Sequence, residues 1–231
     1  MTDYPNPQSR YSFENLTLNE EVSALEQILK AATPNQMDGQ FAVKEMKDAA
    51  HSKWRETEWQ GFYFEFKVLP RLIDAYGGGP KRILRTEFDY ALKRTWDLKV
   101  HSTSKSSKKA DHCQLNDASS IDEAVRQTGF GLILLNGIPE LDLEFTRWHK
   151  KFRGSGDGEP RRLLKKSFMP ESIDIFYIPN EKRLLEAKEK KELIYFKQGK
   201  QPTGEARNIK YSLNAKKAVA SDLHQLRIQI N

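Results

Sequence analysis

Residues 86–101 read TEFDYALKRTWDLKVH, and how this stretch folds decides how the rest of the chain is arranged. In its second half Trp96, Leu98 and Val100 alternate with Asp97, Lys99 and His101. A β-strand points successive side chains to opposite faces, so the first three enter a core and the other three share the opposite surface. The first half runs back as the other arm of a hairpin, with Asp89 near its end. Facing residues in an antiparallel hairpin project to the same side. Asp89 therefore joins Asp97 only across a loop of three or five residues, or past a bulge. A two-residue turn at Lys93 and Arg94 would send the two carboxylates to opposite faces.

Upstream, residues 51–75 place Trp54, Trp59, Phe62, Phe66, Leu69 and Ile73 along one side of a helix, with Glu58, Gly61 and Glu65 on a neighbouring stripe. Residues 62–68 (FYFEFKV) also alternate like a strand, and Pro70 kinks or ends a helix; the helix is the preferred reading. Gly77, Gly78, Gly79 and Pro80 form a break. They lack the lysine and Ser/Thr of a phosphate-binding P-loop, so a connector is expected. Earlier still, residues 18–32 carry Val22, Leu25, Ile28 and Leu29 at helical spacing before Pro34, and residues 41–50 suit a second short helix.

Downstream, residues 101–112 are a polar, lysine-bearing loop. Ser120 and Glu123 have capping-box spacing, which starts a helix ending near Gly129. FGLILL at 130–135 is a strand apolar enough to be buried on both faces. Asn136 and Gly137 suggest a turn, Pro139 a helix's first turn, and residues 141–152 a helix with a basic far end. A glycine-rich loop at 154–160, a strand at 173–178 and a charged helix at 181–192 follow. Residues 193–197 and 208–213 can pair, and Asn214 can cap a last helix to about residue 224. The order implies an α/β fold, a mixed central sheet flanked by helices, in one domain spanning 1–231. Residues up to about 50 would be a helical extension, and those from about 180 a hairpin-and-helix embellishment.

The chain has 231 residues, 38 basic and 32 acidic, for a net charge of +6. That balance favours a polyanionic partner. Cys113 is the only cysteine, which excludes an intrachain disulfide and a multi-cysteine zinc site and suits the cytoplasm. No run approaches the roughly 20 apolar residues of a membrane span, so no membrane association is expected. Two carboxylates on one face offer hard oxygen ligands for Mg2+. Lys99 lies two residues from Asp97 on that face, within reach of a phosphate or an attacking water.

Asp89 together with Asp97-Leu98-Lys99 resembles the signature of the PD-(D/E)xK nuclease superfamily, and within it the type II restriction endonucleases. The likeness extends over residues 54–178. It implies a restriction-endonuclease-like core in which Asp89, Asp97 and the carbonyl of Leu98 bind Mg2+ and Lys99 positions or activates water. It also implies a glutamate from the preceding helix, for which Glu65 is the first choice and Glu58 the second. Phe88 stands where the signature has proline. His101 continues the polar face, either as a phosphate or water contact or as a structural histidine.

Between residues 147 and 166, Arg147, Lys150, Lys151, Arg153, Arg161, Arg162, Lys165 and Lys166 face two acids, an excess of six that equals the net charge of the chain. This segment could track a DNA backbone. Lys105, with Lys108 and Lys109, forms a weaker second candidate. The expectation is an endodeoxyribonuclease acting on double-stranded DNA, as a homodimer if the target is palindromic. A repair, recombination or mobile-element nuclease of the same kind and a non-catalytic DNA-binding protein are the alternatives.

Overall fold

A computed structural model describes residues 16–103, 111–156, 159–160, 162–199 and 204–230. Helix α1 (Leu18–Ala32) starts under a capping box made by Thr17 and Glu20. A short strand β1 (Met37–Asp38) leads into α2 (Gly39–Asp48), which Asp38 caps. The next helix, α3 (Trp59–Tyr76), begins at Trp59 and not at residue 51. Ala50 adopts a left-handed φ of 54° and His51 N–H donates back to Met46 O at 2.8 Å, a reversal that closes α2 before a new helix can begin. Pro70 is accommodated inside α3.

Strands β2 (Gly79–Ile83), β3 (Thr86–Ala91) and β4 (Thr95–Ser102) follow, then β5 (His112–Asp117) and α4 (Ala118–Thr128). Helix α4 starts earlier than expected because Asp117 is its cap, accepting from both the backbone and the hydroxyl of Ser120. Strand β6 (Phe130–Asp142) passes Asn136 and Gly137 without turning, and α5 (Leu143–Phe152) starts only after Asp142. Pro139 is tolerated in β6 because the neighbouring β4 ladder ends at Gly137, leaving that side of the strand open. Strand β7 (Leu164–Ile178) begins well before residue 173. The chain ends with α6 (Glu181–Glu189), β8 (Leu193–Phe196), β9 (Lys210–Asn214), α7 (Ala215–Val219) and β10 (His224–Gln229).

The fold is α/β, with a mixed central sheet flanked by helices. Its strand order is β1-β7-β6-β4-β3-β2, with β10 also on β7; β4 and β6 run parallel and the other pairs antiparallel. A second, antiparallel sheet has the order β5-β9-β8. Helices α1, α2, α3 and α5 contribute Leu25, Leu29, Met46, Phe64 and Phe145 to a core against Trp96, Leu98, Ile133 and Ile175. On the other face Leu132, Leu134 and Phe176 pack with Ile121, Leu184 and Leu213. Strand β6 is thus buried on both sides, as FGLILL implies.

The C-terminal segment departs from a peripheral hairpin and helix. The β8–β9 pair forms, but α7 stops at Val219 and β10 joins the central sheet, burying Ile228. No helix among the described residues is long and apolar enough to cross a membrane.

Candidate active site

Strands β3 and β4 share two ladder pairs, Tyr90 with Trp96 and Ala91 with Thr95, so the connection 92–94 has three residues. That odd number lets Asp89 and Asp97 reach the same edge. Glu21 of α1 holds the connection in place. Its buried carboxylate accepts from Arg94 Nη1 at 2.6 Å and from Trp96 Nε1 at 2.8 Å.

Past Trp96, β3 parts from β4, while β6 continues to pair on the other side. The open edge of β4 gathers the charged groups. Leu98 N–H, which would otherwise lack a ladder partner, donates to Asp89 Oδ2 at 2.7 Å. The N–H and C=O of one strand residue point the same way, so the Leu98 carbonyl also faces this edge. Lys99 Nζ lies 3.2 Å from that carbonyl and 2.6 Å from Asp97 Oδ2. Asp97 is 1% exposed, and Asn116 Nδ2 donates to its Oδ1 at 2.9 Å. Oδ2 is held only by this ion pair with Lys99 and has no further partner.

Helix α3 lies against β3 and β4 and brings Glu65 into the same electrostatic cluster. Burial pushes the Glu65 carboxyl up to about 7; Lys99 pulls it down and Asp97 pushes it up. Burial likewise holds Asp89 well above the usual carboxylate range, reinforced by Asp97 and Glu65 against the pull of Lys99. For Lys99 burial acts downward, but Asp97, Asp89 and Glu65 outweigh it and hold the ammonium above its ordinary value. When all four are ionised, three acids surround one lysine and leave two uncompensated negative charges.

This donor set suits a hard divalent cation. Asp89, Asp97 Oδ2 and the Leu98 carbonyl supply oxygen only, Asp97 Oδ2 has no partner besides Lys99, and the charge excess is negative. Among the described residues no group of three or more His, Cys, Asp or Glu side chains is placed to hold a metal ion. Mg2+ does not need one, because it takes one or two carboxylates and keeps several waters.

Other expected residues fall elsewhere. Glu58 occupies the N-cap position of α3 without a side-chain capping bond and pairs with Arg162 and Lys165 at 3.3 Å each, so the helix acid of the cluster is Glu65. His101 follows Lys99 on the same face and is buried, in register with Asn136. In the basic segment Arg147 pairs with Glu159 at 3.2 Å, Lys166 with Glu140 at 3.4 Å, and Arg162 also donates to Thr57 Oγ1 at 2.6 Å. Arg153 donates to the carbonyl of Arg55 at 3.3 Å, while Lys150 and Lys151 lie in the last turn of α5. Lys105, Lys108, Lys109 and Arg161 lie outside the described residues.

Three contributors carried no sequence signal. Asn116 comes from β5, a strand hidden beside a polar run. Glu21 reads as an ordinary first-turn acid of α1. Cys113 lies close enough to feel Lys99 and Asp97, and burial pushes its thiol up to about 12, so it stays protonated near neutral pH. No protein-family model, no curated protein and no solved structure matches this chain.

Proposed function

We propose that the protein is a Mg2+-dependent endonuclease of the type II restriction class, hydrolysing phosphodiester bonds in double-stranded DNA at a specific sequence as a homodimer. The observation that carries this reading is the convergence of Glu65, Asp89, Asp97 and Lys99 on one unpaired strand edge. Asp89, Asp97 and the Leu98 carbonyl would hold the cation, which when bound supplies positive charge against the phosphate oxygens and favours ionisation of water. Lys99, kept charged by the acids around it, is placed to contact the scissile phosphate and orient the attacking water. Glu65, with a carboxyl near neutrality, can take or return a proton at that water.

Further cations stand beside those expected to meet the DNA. Arg147, Arg162, Lys165 and Lys166 already face carboxylates, although the exposed pairs are weak enough to exchange for phosphate. Lys53 acts on Glu65, and Lys47 and Arg55 lie over the Trp54 ring at 5.1 and 4.9 Å; none of the three forms an ion pair among the described residues. These extend a phosphate-tracking surface towards the acid cluster.

Incubating a plasmid with the protein in Mg2+ and in EDTA, beside Asp97→Ala and Lys99→Ala, tests the reading. Discrete fragments that need Mg2+ and vanish with either substitution are expected. A smear or structure-directed nicking would instead support a repair-type nuclease, and binding without cleavage a non-catalytic DNA-binding protein. Cleavage that survives Asp97→Ala would overturn the assigned site.

A further inference from the structure

We infer that Asn116 is a positioning residue for the acid cluster: its side-chain amide fixes the Asp97 carboxylate so that Oδ2 alone is offered at the open edge of β4. The inference rests on the metal-binding reading of that cluster. A carboxylate's terminal torsion is broad, so Asp97 without this donor could present its oxygens over a wide range of angles. The 2.9 Å bond from Asn116 Nδ2 to Oδ1 fixes the plane of the group from the side opposite the Lys99 ion pair at Oδ2. An ionised carboxylate only accepts, so the amide must present its NH2 group here.

The backbone carrying Asn116 is held on both sides. Before it, Gln114 is in register with Ser212 of β9; after it, Asp117 caps α4, and Ala118 N–H donates to Ile209 O at 2.9 Å. The ladder register shifts between Gln114 and Asp117, so Asn116 lies in an irregular stretch of β5. The second sheet thereby reaches the active edge of the first through one side chain. An amide suits the task because it donates without adding charge. Lysine or arginine at this position would make the same bond but would cancel part of the negative excess that attracts a cation.

Titration calorimetry with Mg2+ on the purified full chain tests this, using wild type, Asn116→Ala, Asn116→Leu and Asn116→Gln, together with metal-free melting curves. Groups that orient a metal ligand typically change metal affinity by roughly 10–100-fold when removed. Asn116→Ala should weaken Mg2+ binding by about that factor, and Asn116→Gln, which keeps the donor, should recover part of it. If the alanine variant fails to fold, Asn116→Leu, branched at the same atom and without a donor, carries the same comparison. Mg2+ affinity within about twofold of wild type in the donor-less variants, or glutamine no better than alanine, would overturn the role. Asp97→Ala separates the two levels. If it abolishes Mg2+ binding while Asn116→Ala retains it, the metal site stands and the positioning role falls; if it binds Mg2+ like wild type, both fall.

Discussion

Replacing Glu65 by glutamine should stabilise the metal-free protein at pH 8 and do little at pH 5. Folding raises the Glu65 carboxyl from its ordinary 4.5 to about 7, because burial and Asp97 disfavour the charge more than Lys99 favours it. Between those two values the folded chain binds more protons than the unfolded one, so stability falls as pH rises through that window. At 1.36 kcal/mol for each tenfold change in binding, the full cost above pH 7 is about 3 kcal/mol; at pH 5 it is below about 1 kcal/mol. Glutamine carries no charge to bury and escapes this cost. Urea unfolding in EDTA at both pH values measures the difference, with an unchanged denaturant slope showing that the unfolded state is not altered.

The same reasoning fixes the sign of the metal effect. A cation that offsets the buried charge stabilises the folded state by mass action, so Mg2+ should raise the stability of wild type at pH 8 more than that of Glu65→Gln. A variant less stable than wild type at pH 8, or a gain equal at pH 5 and pH 8, would refute the electrostatic account of the cluster.

Glu21→Ala leaves the Arg94 guanidinium and the Trp96 indole without their buried acceptor. Breaking a buried ion pair by removing one partner costs about 3–5 kcal/mol. At about 2–4 °C per kcal/mol for a chain of this size, melting should fall by about 6–20 °C; a drop under about 2 °C would show that α1 does not hold the hairpin connection. In a salt titration of DNA binding, the double variant Lys53→Ala/Arg55→Ala should lose up to about two units of log–log slope, one per phosphate contact. Arg162→Ala, whose cation already faces Glu58, should change the slope less. An unchanged slope in the double variant would remove the 51–58 segment from the DNA-binding surface.

The strand period of two made the arms that carry the acid cluster legible. Once Trp96, Leu98 and Val100 point inward, Asp97 and Lys99 must share the other face, and the parity of the loop decides Asp89. The helix 18–32 and the doubly buried strand at 130 were equally readable, because each is set by its own apolar spacing. The misread elements are those decided by partners far along the chain. Asn136-Gly137 is a strong local turn signal, yet β7 runs alongside and Gly137 lies where a Cβ would strike the Phe168 ring and the Met169 carbonyl, so the strand continues. In residues 112–117 only Cys113 and Leu115 alternate inward, too short a pattern to separate β5 from the polar run before it. Asn214 does cap a helix, but α7 ends after five residues because 224–229 have an edge of β7 to join. Asn116 was unreadable for the same reason: its bond to Asp97 joins two sheets.

Phe88, which stands where the resembled signature has proline, has a structural role of its own in this hairpin. Residues two apart in a regular strand share a face, yet Phe88 packs against Phe130 in one core while Tyr90 lies with Trp96 in the other. The β2–β3 register explains this: Lys81 pairs with Phe88 and Gly79 with Ala91, so β3 holds one extra residue at Asp89 and Tyr90. A bulge of that kind bends and twists its strand. The bend coincides with the place where β3 leaves β4 and the Asp89 carboxylate takes over the N–H of Leu98. A proline before Asp89 would be one way to end pairing, since it has no N–H to give. Here pairing with β4 ends beside the bulge, and position 88 anchors the strand with a fully buried aromatic ring.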